Sequence, residues 1–367
     1  MKHNLILVIL MTLGTPIFAQ KKASNLEIFE TVWKAYRDHY AFFDSSTIDW
    51  DEQYRTYRER ITTETTEREV FELLKAMITP LDDSHSYILK GDSLVFSNPH
   101  HCELEDDFPD RNLRDSLWAI TRQTLQKEGF GKIKGVGPIE KGTHLFYTSS
   151  ADSLGYIRIS RCYGRSEALF DEDLVKMDSL RSTSLFDSLL IQMLDKKGMI
   201  IDLRNNHGGN TWCYHLASRF LDQMRTTYLL SHRTPDGHEP FSAPSSYSMT
   251  PHPEPRYKGR VILLTNGHTA SAAEGFILVM KELPQVTMVG SRTMGIFSNT
   301  MNYPIDETQD LWGTLSDQRK YDVHGTCFEK VGIPADVEGK NTRQDLVDRQ
   351  DPMIFLALSH LGVSTRK

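Results

Sequence analysis

The chain has 367 residues, a formal net charge of −7 at pH 7 and 39% hydrophobic residues. This length allows a large core and favours one major domain with a smaller one. The composition is that of an ordinary globular protein, and the negative charge, with no basic run, argues against a nucleic-acid partner.

The first residues carry the pattern of a secretory signal. A basic start, Met1-Lys2-His3-Asn4, leads into a short and largely apolar run from Leu5 to Leu13, and the small residue Ala19 follows. The run is short for a membrane span, so we expect cleavage after Ala19 and an exported protein, periplasmic or secreted, without stable membrane insertion. An uncleaved N-terminal anchor is the weaker alternative.

The cysteine pattern predicts neither a disulfide framework nor a metal centre. Export permits disulfides, but four scattered cysteines in a chain of this length do not form a framework. Neither His100-His101-Cys102 nor the set of His207, Cys213 and His215 has the paired spacing of a structural zinc site. We therefore predict no metal and no cofactor. The four cysteines are Cys102, Cys162, Cys213 and Cys327.

Apolar residues at helical spacing predict a small N-terminal helical region over residues 20–90. Its three helices are predicted at Leu26–Tyr40, Asp49–Ile61 and Thr65–Ile78. A cluster of Pro, Asp and Ser after the third helix marks a loop, and Tyr87 begins a strand. Residues 91–150 are predicted as a connecting segment, with a helix at 115–128 and strands at 132–136 and 144–147.

Strands and helices alternate from residue 151 onward, and residues 151–367 are predicted as an αβ core. This order implies a mainly parallel sheet covered by helices. Asp351-Pro352 opens a last helix through Leu361, with Asp as the cap and Pro at the first helical position. The predicted strands of this core are 155–160, 198–204, 261–265 and 286–290, and the helical patterns are 167–196, 212–224 and the segment after Ser271.

The buried strand Val261–Thr265 runs into a small-residue segment in which a helix starts near Ser271. Free N–H groups at a helix start, together with the helix dipole, can stabilise an oxyanion that develops beside a serine. The same residues fit a capping box, in which Ser271 and Glu274 only satisfy the helix end. Taken alone, the segment favours the cap.

Three further segments carry the residue types that serine chemistry needs. Gly208-Gly209 follow a buried strand, and paired glycines can turn N–H groups toward a ligand. Ser84-His85 lie in a loop, and histidine is the usual base for a serine nucleophile. Glu329 lies just before Gly332-Ile-Pro-Ala-Asp336, where a carboxylate could orient a catalytic partner. Each segment alone is explained as well by a turn, a surface histidine or a solvated charge.

Together these segments resemble the tail-specific or C-terminal processing proteases and the catalytic core of tricorn protease. The resemblance runs from about Phe71 to Leu361 and implies an α/β fold with a ClpP/crotonase-like spiral core. Many relatives insert a peptide-binding PDZ domain, for which 91–150 is short. The matching segments are Gly155-Tyr-Ile-Arg-Ile, Asp202-Leu-Arg-Asn-Asn-His-Gly-Gly, Thr269-Ala-Ser-Ala-Ala-Glu and Val331-Gly-Ile-Pro-Ala-Asp-Val.

The resemblance implies Ser271 as the nucleophile, with an oxyanion hole formed by the N–H of Ala272 and that of Gly209, or of Gly208. It also implies a general base in one of two places. Relatives of the Ser/Lys kind carry a lysine in a Thr-x-Gly-Lys-Gly segment, but the corresponding position here is Ile296. A Ser/Lys dyad at that site is therefore excluded.

The tricorn-like arrangement implies His85 as the base, Ser84 beside it and Glu329 completing the set. Lys281 and Lys320 are available lysines, but nothing in the pattern places them at the serine. We therefore expect an exported serine endopeptidase that cleaves peptides or unfolded and C-terminal protein segments through an acyl-enzyme. A homo-oligomer is compatible with this expectation.

Two other functions remain open at this point. Retinoid-binding modules share the family's core, so a binding protein for a small lipophilic ligand or a peptide is the alternative. An acyl-CoA hydratase or isomerase has a similar core, but an exported protein would meet little CoA. The presence of both Ser271 and His85 favours the peptidase.

Overall fold

A computed structural model describes residues 22–91, 93–99, 102–169, 171–235 and 240–363, except for the side chain of Glu172. The predicted secretory signal, residues 1–19, lies outside these residues. Across the ranges described, no helix is both long and apolar enough to cross a membrane.

Helices and short strands make up the first part of the fold. They are α1 Asn25–His39, α2 Trp50–Arg58, α3 Glu67–Ile78, β1 Tyr87–Lys90, β2 Ser93–Ser97, α4 Leu104–Asp107, α5 Arg111–Lys127, β3 Lys134–Glu140, β4 Thr143–Ser150, β5 Leu154–Ile159 and α6 Glu172–Ile191. The remaining elements are β6 Gly198–Asp202, α7 Trp212–Leu216, β7 Arg225–His232, β8 Ser245–Met249, β9 Arg260–Thr265, α8 Ala272–Met280, β10 Val286–Gly290, β11 Thr300–Asp306, β12 Leu311–Ser316, β13 Gln318–Tyr321, β14 Val337–Glu338, α9 Arg343–Asp348 and α10 Pro352–His360.

The N-terminal helices begin at side-chain caps and cover a small sheet. Ser24 and Glu27 form a capping box at the start of α1, and Thr66 and Glu69 form one at α3. The apolar side of these helices packs on one face of a four-stranded antiparallel sheet with the order β11-β12-β1-β2. The loop that precedes β1, and with it the segment 82–86, is thereby fixed to the rest of the chain.

A seven-stranded sheet forms the centre of the molecule, in the order β14-β10-β9-β6-β5-β4-β3. The neighbouring strands from β14 to β5 are parallel to one another. Strand β4 pairs antiparallel with β5, and β3 pairs antiparallel with β4. The predicted mainly parallel sheet is therefore confirmed. The predicted connecting segment contributes β3 and β4 to this sheet. The parallel strands β6 and β9 are neighbours, so the loops after them, 203–209 and 266–271, leave the sheet at the same edge.

Helix α8 follows β9 and is buried along its whole length, as expected for a helix that is apolar on all sides apart from Glu274. The predicted helix over 212–224 is shorter in the structure, because α7 ends at Leu216, a 3₁₀ turn follows, and β7 begins at Arg225. Strand β7 pairs with β8 and β13 in a three-stranded antiparallel sheet, and it contacts α8.

Candidate active site

Ser271 lies at the junction between β9 and α8, in a backbone conformation that L-residues rarely adopt. Its φ is 53° and its ψ is −119°, whereas an ordinary cap residue is extended. Such a conformation costs on the order of 1–3 kcal/mol and persists only where the surrounding structure enforces it. The side chain is only partly buried, so a substrate can reach it.

Glu274 connects this junction to the segment 295–298. One of its oxygens accepts the N–H of Ser271 at 3.0 Å, so the glutamate half of the predicted capping box is present. The same carboxylate accepts the N–H groups of Gly295 at 2.7 Å and Ile296 at 2.8 Å. Burial raises the pKa of Glu274 to about 7, against the lowering effect of its hydrogen bonds. Ile296, which occupies the position of the family lysine, is thus held close to the serine helix by its backbone.

The glycine loop after β6 lies directly against Ser271. Gly208 has a φ of 87°, and a Cβ atom added there would lie 2.7 Å from both Ser271 Cβ and the nitrogen of Ala272. The Gly208 N–H is already used, since it donates to Asn206 Oδ1 at 2.9 Å. Of the predicted oxyanion donors, the N–H groups of Gly209 and Ala272 therefore remain for a ligand.

A buried ion-pair network fixes the start of this loop. Arg204 bonds Asp202 at 2.7 Å and Asp351 at 2.9 Å. The hydroxyl of Tyr156 donates to Asp202 at 2.9 Å. Removal of one partner from such a network would leave an uncompensated buried charge, which is costly, so the network holds the loop to α10.

The predicted base lies in the loop before β1. The backbone N–H of His85 donates to Asp83 Oδ1 at 2.9 Å, and the Thr314 hydroxyl donates to the His85 carbonyl at 2.6 Å. Burial lowers the pKa of His85, which favours the neutral imidazole that a general base requires. Nδ1 of His85 and the Ser84 hydroxyl are buried, and neither has a hydrogen-bond partner among the described residues.

The structure brings Glu329 to this histidine. Carboxylate oxygens of Asp83 and Glu329 and a ring nitrogen of His85 all lie within 4.8 Å of one another. Glu329 accepts the N–H groups of Phe297 at 2.6 Å and Ser298 at 2.8 Å. Burial, and then the nearby Asp83, raises the pKa of Glu329 to about 8.

Four consecutive backbone N–H groups therefore connect the two halves of the site. Those of residues 295 and 296 bind Glu274 on the serine helix, and those of residues 297 and 298 bind Glu329 in the histidine cluster. Segment 295–298 thus contacts both the serine helix and the histidine cluster. The arrangement supplies a hydroxyl, a neutral imidazole, a carboxylate and two N–H donors, which are the groups needed for acyl transfer.

The sequence offered Lys320 only as an available lysine, without placing it at the site, and it did not point to Tyr214. Lys320 is buried on β13 and donates to the hydroxyl of Tyr214 at 2.8 Å. The Tyr214 ring packs on α8 at Gly275, where an added Cβ would lie 2.0 Å from a ring carbon. Lys320 lies in the polar run Gln318-Arg-Lys-Tyr321, which gives no sign of burial.

The fold agrees with the proteins that this chain resembles. The model of Peptidase family S41 matches residues 153–339, just over half of the chain, and the tricorn protease C1 domain matches residues 21–79. The chain belongs to peptidase family S41. The predicted family, fold class and peptidase class are thereby confirmed, and peptides or proteins are the substrate class that the family implies.

The matching proteins differ in length and in distance. The chain is 25% identical over 181 residues to the tricorn protease of Thermoplasma acidophilum. This match covers 48% of this chain and only 15% of the tricorn protease. An inferred peptidase from Parabacteroides merdae has a similar structure, with a TM-score of 0.71 and 23% identity over 92% of this chain and 97% of that one. Mature CPAF in complex with lactacystin gives a TM-score of 0.58 and 15% identity over 92% and 96% of the chains.

Proposed function

We propose that this protein is a serine endopeptidase in which Ser271 is the nucleophile and His85 the general base. The observation that carries the proposal is the strained backbone of Ser271, at φ 53°, at the start of a buried helix and against Gly208. A nucleophilic serine on a sharp strand-to-helix turn exposes its hydroxyl beside free N–H groups. A serine that only capped the helix would need no such strain.

The reaction follows from the groups around this turn. The Ser271 hydroxyl attacks the peptide carbonyl while His85 takes its proton, and the N–H groups of Gly209 and Ala272 bind the oxyanion. Glu329 stabilises the imidazolium, which then protonates the leaving amine. Water releases the acyl group by the same steps in reverse. A positioned base contributes about 10²–10⁴-fold, and loss of one oxyanion donor costs about 10²–10³-fold.

A cleft on the four-stranded sheet supports a peptide as the substrate. It has a volume of about 1380 Å³ and lies on the face of the four-stranded sheet that the N-terminal helices leave open. Tyr87, Leu89, Leu94 and Trp312 line this face, and Thr314, which bonds His85, reaches it as well. An open sheet face is usually polar, so apolar residues here favour extended chain segments with apolar side chains, as unfolded or C-terminal protein segments present.

We further propose that the mature protein acts outside the cytoplasm, on the basis of the basic and apolar pattern before Ala19. We also propose a homo-oligomer, which the resemblance to the tricorn catalytic core suggests. Light scattering of the mature protein tests this part independently of activity. A monomer across the working concentration range would contradict it.

The experiment uses the protein from Gln20 with a diverse pool of disordered peptides, and mass spectrometry identifies every new terminus. We expect new termini with wild type and none with Ser271→Ala, and no more than residual cleavage with a folded His85→Ala. A fully active His85→Ala would refute the base assignment. An uncut pool, together with a co-purified lipophilic ligand, would favour a binding module of the same fold.

A further inference from the structure

Lys320 is a lysine buried in the fold without an ion pair among the described residues. Only 2% of it is exposed, and its ammonium donates to the hydroxyl of Tyr214. The ammonium also lies 4.7 Å from the centroid of the Tyr214 ring and 5.4 Å from that of Tyr228. Burying an ammonium costs several kcal/mol unless a counter-charge compensates it, so a residue of this kind calls for a functional explanation.

The charges near Lys320 belong to both halves of the candidate site. Glu329 and Glu274 attract its positive charge, while Lys320 repels the protonated form of His85. Asp83 faces the same cluster through His85 and Glu329. The other titratable groups around the cluster, whose pKa values burial raises, are Tyr36, Tyr40, Tyr214, Tyr228 and Cys327. The hydroxyl of Tyr247 also faces Lys320.

We propose that Lys320 is a positioning residue of the peptidase site, whose ammonium favours the ionised form of Glu329 and the neutral form of His85. This inference rests on the proposed function, because these two forms are the ones that proton transfer from Ser271 requires. Tyr214, whose ring packs on α8, accepts a hydrogen bond from the ammonium and so fixes its position. The lysine does not replace the base, and it acts through the histidine cluster.

The sign of the effect is the same for both partners. A positive charge lowers the pKa of a neighbouring carboxyl and of a neighbouring histidine, so its removal raises both. Burial brings the pKa of Lys320 to about 8, so the ammonium is charged at neutral pH. Strand β13 lies beside the cluster, since the Gln318 N–H donates to Ser298 Oγ at 3.2 Å and Tyr321 pairs with Cys327, two residues before Glu329. A nearby charge shifts the pKa of a buried group by roughly one unit or more.

The first test measures the histidine directly and does not require activity. Selective ¹⁵N labelling of histidine, with His85→Gln for assignment, gives the titration of His85 by NMR. Below pH 7 Glu329 is protonated in wild type and in Lys320→Met, so we expect the His85 midpoint to rise by about one unit in the variant. Lys320→Gln should show the same rise, whereas Lys320→Arg should leave the midpoint in place. An unchanged midpoint in Lys320→Met and Lys320→Gln would overturn the inference.

The second test follows Ser271 with a fluorophosphonate probe from pH 5 to pH 10. In Lys320→Met, we expect the pH at which the labelling rate falls to half on the acid side to rise by about one pH unit. Labelling below that pH should be about tenfold slower than in wild type, and labelling well above it should equal the wild-type rate. Lys281→Met is the matched control, because Lys281 pairs with Glu282 and Asp322 instead. A limb that stays in place, or that moves equally in the control, would overturn the role of Lys320.

The two proposals fail in distinguishable ways. If the fluorophosphonate probe does not react with wild type but the His85 midpoint still rises in Lys320→Met, the serine chemistry is refuted and the charge effect of Lys320 stands. A purely structural lysine would behave differently, since its loss would lower the melting temperature at every pH. We expect Lys320→Met to melt at or above the wild-type temperature, because apolar replacement of a buried charge is often neutral or stabilising.

Discussion

A methyl group at Gly208 should stop catalysis for a steric reason that can be separated from backbone strain. In Gly208→Ala the new Cβ would lie 2.7 Å from Ser271 Cβ and from the Ala272 nitrogen, and 2.8 Å from the Ala270 carbonyl oxygen. These are backbone atoms or atoms next to the backbone, so a rotamer change cannot relieve the contacts. The Ser271 junction must move away from the glycine loop, and a shift of this kind affects the geometry on which transition-state stabilisation depends.

Gly142→Ala is the matched control for this prediction. Gly142 has a φ of 81°, close to the 87° of Gly208, but an added Cβ there meets nothing within 4 Å. Both variants should lose about 1–2 kcal/mol from left-handed strain, measured by urea unfolding. Only Gly208→Ala should lose peptide cleavage, by about 10²-fold or more in kcat/KM, because displacement of one oxyanion donor has that magnitude. Equal cleavage by the two variants would refute the proposed contact between this loop and the nucleophile.

Three further predictions follow from the same geometry. Because the fold raises the pKa of Glu329 to about 8, the folded state keeps a proton that the unfolded chain has lost, and the free energy of unfolding falls as pH rises toward 8. Glu329→Gln lacks this proton, so its stability relative to wild type should increase between pH 5 and pH 8, by up to roughly 1.4 kcal/mol per pH unit. A stability difference in urea unfolding that does not change with pH would contradict this prediction. Ser271→Gly should be more stable than Ser271→Ala by about 1 kcal/mol in the free energy of unfolding measured with urea, since glycine adopts a φ of 53° without strain. Identical urea midpoints for the two variants would contradict the argument that Ser271 is strained. Leu94→Glu should raise KM for apolar peptides about tenfold with little change in kcat. Leu180→Glu, at another exposed leucine outside the cleft, should leave KM unchanged, and a similar KM for both variants would show that the cleft does not bind substrate.

The central strands could be predicted from the sequence because their burial leaves a local signal. Val261–Thr265 and Gly198–Asp202 are continuous apolar runs, and both are buried parallel strands in the structure. The last helix begins at the predicted cap, where Asp351 accepts the N–H of Met353. Caps and apolar runs are local features, so one segment at a time suffices to find them.

The outer strands could not be predicted in the same way. Strand β8, Ser245–Met249, is almost entirely exposed and shows no apolar alternation. Strand β13, Gln318–Tyr321, is polar throughout and is a strand because it pairs with β7. Its burial of Lys320 depends on that pairing, so nothing within the run itself could indicate it.

The candidate site shows the same limit. Ser271, His85 and Glu329 were predicted by resemblance, and their catalytic roles stay predictions that the experiments above can test. The proximity of Glu329 to His85, at a sequence distance of more than 200 residues, is a property of the folded chain. The two carboxylates that share segment 295–298 could not be recognised either, because backbone N–H groups leave no trace in the residue types.

The ion pair between Arg204 and Asp351 places a condition on when the protein can act. The two residues are 147 positions apart, and they join the start of the glycine loop to the first turn of the last helix. Contacts of such long range form late, since a large loop must close before they are gained. A chain that is still being synthesised therefore lacks this anchor of the glycine loop. The proposed hydrolysis should therefore begin only once the complete fold has formed.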